Sequence, residues 1–150
     1  MSAKTKIILG NLLALAGFIA DRVIKYFLMQ KFPGREFLFF GDWLKLKLAY
    51  NTGVAFGVQL NSYFIFAAYL AILIALIALV SVCYRRRQFT SAIVFSIIFA
   101  GGFSNLLDRL KFGRVIDYFD LKFYSVFNLA DVMIVLGVVV IIGLNWRKKK

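Results

Sequence analysis

FNLADVMIVLGVVVIIGLNW, residues 127–146, is a run of 20 residues in which one side chain, Asp131, carries charge. About 20 mostly apolar residues in a helix span the hydrocarbon core of a bilayer. A carboxylate inside such a segment costs roughly 2.5–3.5 kcal/mol on insertion scales, so a chain that keeps one is using it. Three more runs of similar character precede it: Ile7–Met29, Tyr63–Tyr84 and Phe89–Leu107. The chain is 62% hydrophobic, against about 45–50% for a soluble domain. The reading is one all-α integral membrane domain over residues 1–150, with four transmembrane helices.

The net charge of +12 invites a nucleic-acid reading, but the basic residues are in the wrong places for it. The dense clusters cap the apolar runs: Lys4 and Lys6, Arg85-Arg86-Arg87, and Arg147-Lys148-Lys149-Lys150. This is the positive-inside pattern, with attraction to anionic lipid. Four crossings with both termini in the cytoplasm put all three clusters on one side. The outer segments are basic too; density beside helix ends is what separates the sides. The seven acidic residues then fall on the outer side or near the outer helix ends. Lys4 and Lys6 before Ile7–Ala20 imitate a signal peptide, yet apolar character resumes after Asp21-Arg22, so an uncleaved first helix is expected. Cys83 is the single cysteine, expected to pack near the inner end of helix 2. The chain has no histidine, which removes Ser-His-Asp triads, Cys-His dyads and His-ligated metals.

Between helices 1 and 2, about residues 30–60, Pro33-Gly34 signals a turn. Trp43-Leu44-Lys45-Leu46-Lys47-Leu48 alternates apolar and basic residues, which predicts a strand with an apolar and a cationic face. Asn51-Thr52-Gly53-Val54-Ala55-Phe56-Gly57 follows as a loop or strand end. A second outer segment, about 108–126, is expected to hold Asp117 in a loop.

Asp21 and Lys25 share a helix face, as an ion pair orienting helix 1 or as substrate contacts. Gly101, Asn105, Asp108 and Arg109 form one stripe on helix 3, which should face protein or a wet site. Asp108 is expected to pair with its neighbour Arg109. Asn128 and Asp131 share a face near the start of helix 4, placed at Phe127. Asp117 lies 14 residues before Asp131, and an extended chain of that length reaches about 46 Å, so the two can meet or can stay solvated apart. Like charges about 3 Å apart cannot both ionise near neutral pH. One carboxylate would then accept a proton from water while the other donates to a peptide carbonyl. That chemistry needs no metal, histidine or cofactor.

Five motifs in order resemble one family: Asp21-Arg22-Val23-Ile24-Lys25, Asn51-Thr52-Gly53-Val54-Ala55-Phe56-Gly57, Gly101-Gly102-Phe103-Ser104-Asn105-Leu106-Leu107-Asp108-Arg109, Gly113-Arg114-Val115-Ile116-Asp117-Tyr118 and Phe127-Asn128-Leu129-Ala130-Asp131. The chain resembles lipoprotein signal peptidase, also called signal peptidase II, over nearly its whole length. The resemblance implies an aspartyl endopeptidase of the bacterial inner or plasma membrane, without cofactor and inhibited by globomycin. It would cut signal peptides from prolipoproteins just before a cysteine that carries diacylglycerol. Asp117 and Asp131 match the catalytic pair. Asn51, Gly53, Asn105, Arg109 and Asn128 match substrate-site positions, and Asp21, Lys25 and Asp108 match supporting ones. The resemblance also implies a small extracytoplasmic sheet between helices 1 and 2. Three positions depart from the family pattern: Ser104 replaces glycine, Tyr118 phenylalanine, and Val132 a frequent serine or threonine.

The partners expected are a lipid-modified prolipoprotein and membrane lipid, with no nucleic acid, and the chain is expected to act as a monomer. Two other classes are open at this point. A small proton-coupled transporter could use Asp131 and Lys25 as coupling charges, but the apolar stretch Ala67–Val80 of helix 2 and the gathering of charge at one end favour a one-sided site. A non-catalytic scaffold would leave the intramembrane charges without a role.

Overall fold

In hydrocarbon a backbone must satisfy its own hydrogen bonds, and a helix does so within one segment. Each of the four apolar runs accordingly forms one: α1 (Ala3–Lys31), α2 (Ser62–Arg85), α3 (Phe89–Phe112) and α4 (Leu129–Arg147). The computed structural model describes residues 2–31, 34, 36–39, 43–52 and 62–147. Among them, four helices are long and apolar enough to cross a membrane. With 29 residues, α1 extends about 43 Å and reaches beyond the hydrocarbon layer.

The hub is α3, which packs against each of the other three helices. Of its apolar window 44% is buried, against 17% in each of the others. Leu73 and Leu76 of α2 meet Val94, Ile98 and Leu106 of α3 in one cluster. Ala14, Ala100 and Met133 join α1, α3 and α4 in another. At Gly101 a Cβ would stand 2.5 Å from the carbonyl oxygen of Ala130, so α3 and α4 touch backbone to backbone just before Asp131. Outward residues such as Leu13, Ile72, Val139 and Ile142 are exposed in the protein alone, as lipid-facing positions must be. Cys83 is buried. The short link from α2 to α3 turns at Arg87, with φ 55°.

The expected strand is present as β2 (Leu44–Asn51), paired with β1 (Glu36–Leu38). Gly34, with φ 74°, lies in the turn before β1. A third strand, β3 (Val115–Leu121), comes from the α3–α4 connection, and the antiparallel order is β1-β2-β3. Asp117 therefore lies in a strand, not in a loop. α3 also continues through Asp108 to Phe112, ending at Gly113, whose φ of 69° makes a left-handed cap. Helix α4 starts two residues later than expected, because Phe127 is drawn into a bridge with Phe119.

The register between β2 and β3 shifts between Leu46 and Ala49. Leu46 opposes Phe119, but Ala49 opposes Asp117 and Asn51 opposes Val115, so β2 carries one extra residue. Side chains alternate along a strand, and an inserted residue reverses the alternation beyond it. The bulge thus puts Asn51, rather than Tyr50, on the face of Asp117.

Candidate active site

A buried charge network sits where α1, α3 and β3 meet. Asp21 and Lys25, one turn apart on α1, form an ion pair of 2.7 Å, and Lys25 forms a second of 2.7 Å with Asp108. Its third contact is the Asn105 side-chain oxygen at 3.2 Å. Arg22 takes the other oxygen of Asp108. Asp108 is thus held by Arg22 and Lys25, not by the adjacent Arg109: consecutive helix residues do not face each other. Asp21, Lys25 and Asp108 are fully buried, two anions balanced by Lys25 and Arg22. Asp21 and Lys25 form the ion pair with each other, and both lie behind the cavity rather than in its wall.

In front of this network lies a cavity of about 630 Å³ with Asn51, Tyr69, Asn105, Arg109, Asp117 and Asp131 among its lining residues. The structure brings the two aspartates to one site from a strand and a helix. Three asparagines hold them. Asn105 donates to Asp131 at 2.8 Å, Asn51 to Asp117 at 3.1 Å, and Asn128 to Asp117 at 2.6 Å. Asn128 was expected to line the substrate site, but it is fully buried and outside the cavity wall. Its amide nitrogen also approaches Asn105 Oδ1 and the carbonyl oxygen of Ile116. It makes a capping box with Asp131: the Asp131 N–H donates to Asn128 Oδ1 at 2.9 Å, and the Asn128 N–H donates to the Asp131 carboxylate at 3.1 Å. One residue therefore touches both aspartates. The guanidinium of Arg109 lies 4.2 Å over the ring of Tyr69, a cation–π contact. Gly53 lies outside the described residues.

Burial, then the neighbouring charge of Asp131, pushes the Asp117 carboxyl up to about 6, against the lowering pull of Asn51 and Asn128. Desolvation and a like charge both favour the neutral acid. The site can hold one proton near neutral pH beside a second carboxylate. That is the condition for moving a proton from a water to an amide.

Arg22 and Tyr69 were not foreseen as parts of this region, and Tyr118 and Ser104 stood out only as departures from the family pattern. Tyr118 and Ser104 both donate to Asp21, at 2.9 and 2.6 Å. Their signal in the sequence was hydroxyls standing where the family pattern has none. Tyr69 had a fainter one, a polar tip in the otherwise apolar stretch Ala67–Val80.

Four spanning helices with an acid-bearing cavity at one end define a class, the multi-pass membrane protein with a one-sided acidic site. The chain belongs to the signal peptidase II family, whose model, described as signal peptidase (SPase) II, matches residues 13–146. It is an aspartic peptidase. A lipoprotein signal peptidase of Moorella thermoacetica is 35% identical over 132 residues, covering 87% of each chain. One from Halothermothrix orenii is 30% identical over 135 residues, covering 88% of this chain and 91% of its own. A solved bacterial membrane enzyme superposes with a TM-score of 0.84 at 26% identity, over 95% of this chain and 90% of its own. A second gives 0.77 at 28% identity, over 91% and 92%.

Proposed function

We propose that this chain removes signal peptides from prolipoproteins, cutting before a cysteine that already carries diacylglycerol, with Asp117 and Asp131 as its catalytic pair. The observation that carries the reading is the meeting of two carboxylates in one cavity, tied to each other through Asn128. The ionised member takes a proton from a water as its oxygen adds to the scissile carbonyl. The protonated member donates to that carbonyl oxygen. The gem-diol then collapses, the carboxylates exchange roles, and the departing nitrogen takes a proton as the C–N bond breaks. The pair titrates as a unit.

Asn51, Asn105 and Arg109, with Gly53, would hold the substrate backbone; Asn128 holds the pair from behind. Asp21, Lys25 and Asp108 support that frame. The whole chain would work as one monomeric domain, with the acyl chains of its substrate left in membrane lipid. The positive-inside rule puts Lys4, Lys6 and Arg85-Arg86-Arg87 in the cytoplasm with both termini, and hence the cavity near the extracytoplasmic face. A transporter needs polar groups across the bilayer; α2 has a mean hydropathy of 2.7 over its span, and none of the relatives supports that alternative. The test is processing of a diacylated prolipoprotein by the purified chain in lipid. Cleavage blocked by globomycin is expected; no cleavage of the diacylated form, or equal cleavage of the unmodified one, would contradict the substrate assignment.

A further inference from the structure

The first N–H groups of a helix have no partner within it, and α4 satisfies its first two across the molecule. The Leu129 N–H donates to the Tyr118 hydroxyl at 3.0 Å, and the Ala130 N–H to Asp21 Oδ1 at 3.3 Å. The Tyr118 hydroxyl donates in turn to Asp21 Oδ1. Tyr118 is fully buried and sits beside Asp117 in β3. We propose that Tyr118 is a positioning residue: its hydroxyl ties the strand bearing Asp117 to the first turn of α4 and to Asp21, and so sets the separation of Asp117 and Asp131. This rests on the reading of those two aspartates as the catalytic pair.

Tyr118 is suited to the task because burial pushes its phenol above the ordinary value, so it stays a neutral donor. Without the hydroxyl, Asp21 keeps Lys25 and Ser104, but the Leu129 N–H loses its acceptor. The first turn of α4 would loosen, carrying Asp131 away from Asp117. Weaker repulsion lets Asp117 ionise at lower pH. The charged and titratable groups around the pair are Asp21 and Lys25 from α1, Tyr69 from α2, Tyr50 from β2, Asp108 and Arg109 from α3, and Tyr124 from the segment before α4; of these the change touches only Asp21.

The test compares Tyr118→Phe with Ser96→Ala, which removes one hydrogen bond within α3, from Ser96 Oγ to the Ala92 carbonyl oxygen, away from the cavity. Tyr118→Phe is expected to lower kcat roughly tenfold, with KM changed by less than about twofold and the alkaline limb of the pH–rate profile moved to lower pH. Ser96→Ala should keep kcat and that limb. Wild-type kcat and pH limb in Tyr118→Phe, or the same losses in Ser96→Ala, would overturn the proposal. Asp117→Asn and Asp131→Asn run alongside: activity in either would sink the underlying reading instead. If Tyr118→Phe does not accumulate, amide exchange on the wild type decides. Slow exchange at Leu129 and Ala130 is expected, and exchange as fast as in an open loop would overturn the link.

Discussion

Above pH 6 an ionised Asp117 is held almost out of solvent, 2% exposed, beside a second carboxylate. Its folded pKa of about 6 stands above the ordinary 3.8. A raised carboxyl contributes stability that is fully present below about pH 4 and is lost as pH rises through 6. Asp117→Asn should therefore raise the apparent melting temperature at pH 8 by roughly 3–8 °C, give no gain at pH 4, and abolish cleavage. A thermal-shift series over pH alongside the cleavage assay checks both halves; a loss of stability at pH 8 would contradict the assigned burial. Lys25 is the opposite case. Lys25→Met leaves Asp21 and Asp108 buried without their shared cation, and breaking a buried pair costs about 3–5 kcal/mol. Loss of folded protein in detergent is expected, read as early aggregation on size exclusion.

The helices were legible in the sequence because bilayer thickness fixes their length and hydrocarbon enforces their kind. Strand β2 was legible from Leu44-Lys45-Leu46-Lys47, whose period of two survives in its register. β3 was not: Val115, Ile116, Asp117 and Tyr118 are buried on both faces, so no alternation marks them, and three acidic or polar side chains in Asp117-Tyr118-Phe119-Asp120 read as loop. The partners of Asp108 were hidden for a different reason. They come from α1, more than 80 residues away, and spacing within one helix cannot report them. The pairing of Asp117 with Asp131 was permitted by chain length and chosen only by the family resemblance. At this scale the α3–α4 contact makes its own prediction. Gly101→Ala puts a Cβ 2.5 Å from the Ala130 carbonyl oxygen, backbone that cannot swing aside. The helices must part at Asp131, so cleavage should fall by more than about tenfold, while Gly143→Ala, with nothing near its Cβ, keeps wild-type rate.

The whole molecule is asymmetric along its length, with the sheet and the cavity at one end of the bundle and Arg85-Arg86-Arg87 at the other. In a Cys83→Ala background, Lys45→Cys on β2 should react with a membrane-impermeant maleimide from outside intact spheroplasts, and Arg86→Cys only after lysis. The reverse pattern would invert the topology and remove the cavity from the face where exported substrates arrive. That the site sits at an end also explains why one expensive carboxylate is tolerated: Asp131 lies in the first turn of α4, among asparagines, and not at mid-bilayer. The central claim is that Asp117 and Asp131 act together on one peptide bond. The direct measurement is processing of a diacylated prolipoprotein by purified wild type, Asp117→Asn and Asp131→Asn, each folded and inserted. Globomycin-sensitive cleavage by the wild type alone is the result expected; cleavage at near wild-type rate by either variant would contradict it.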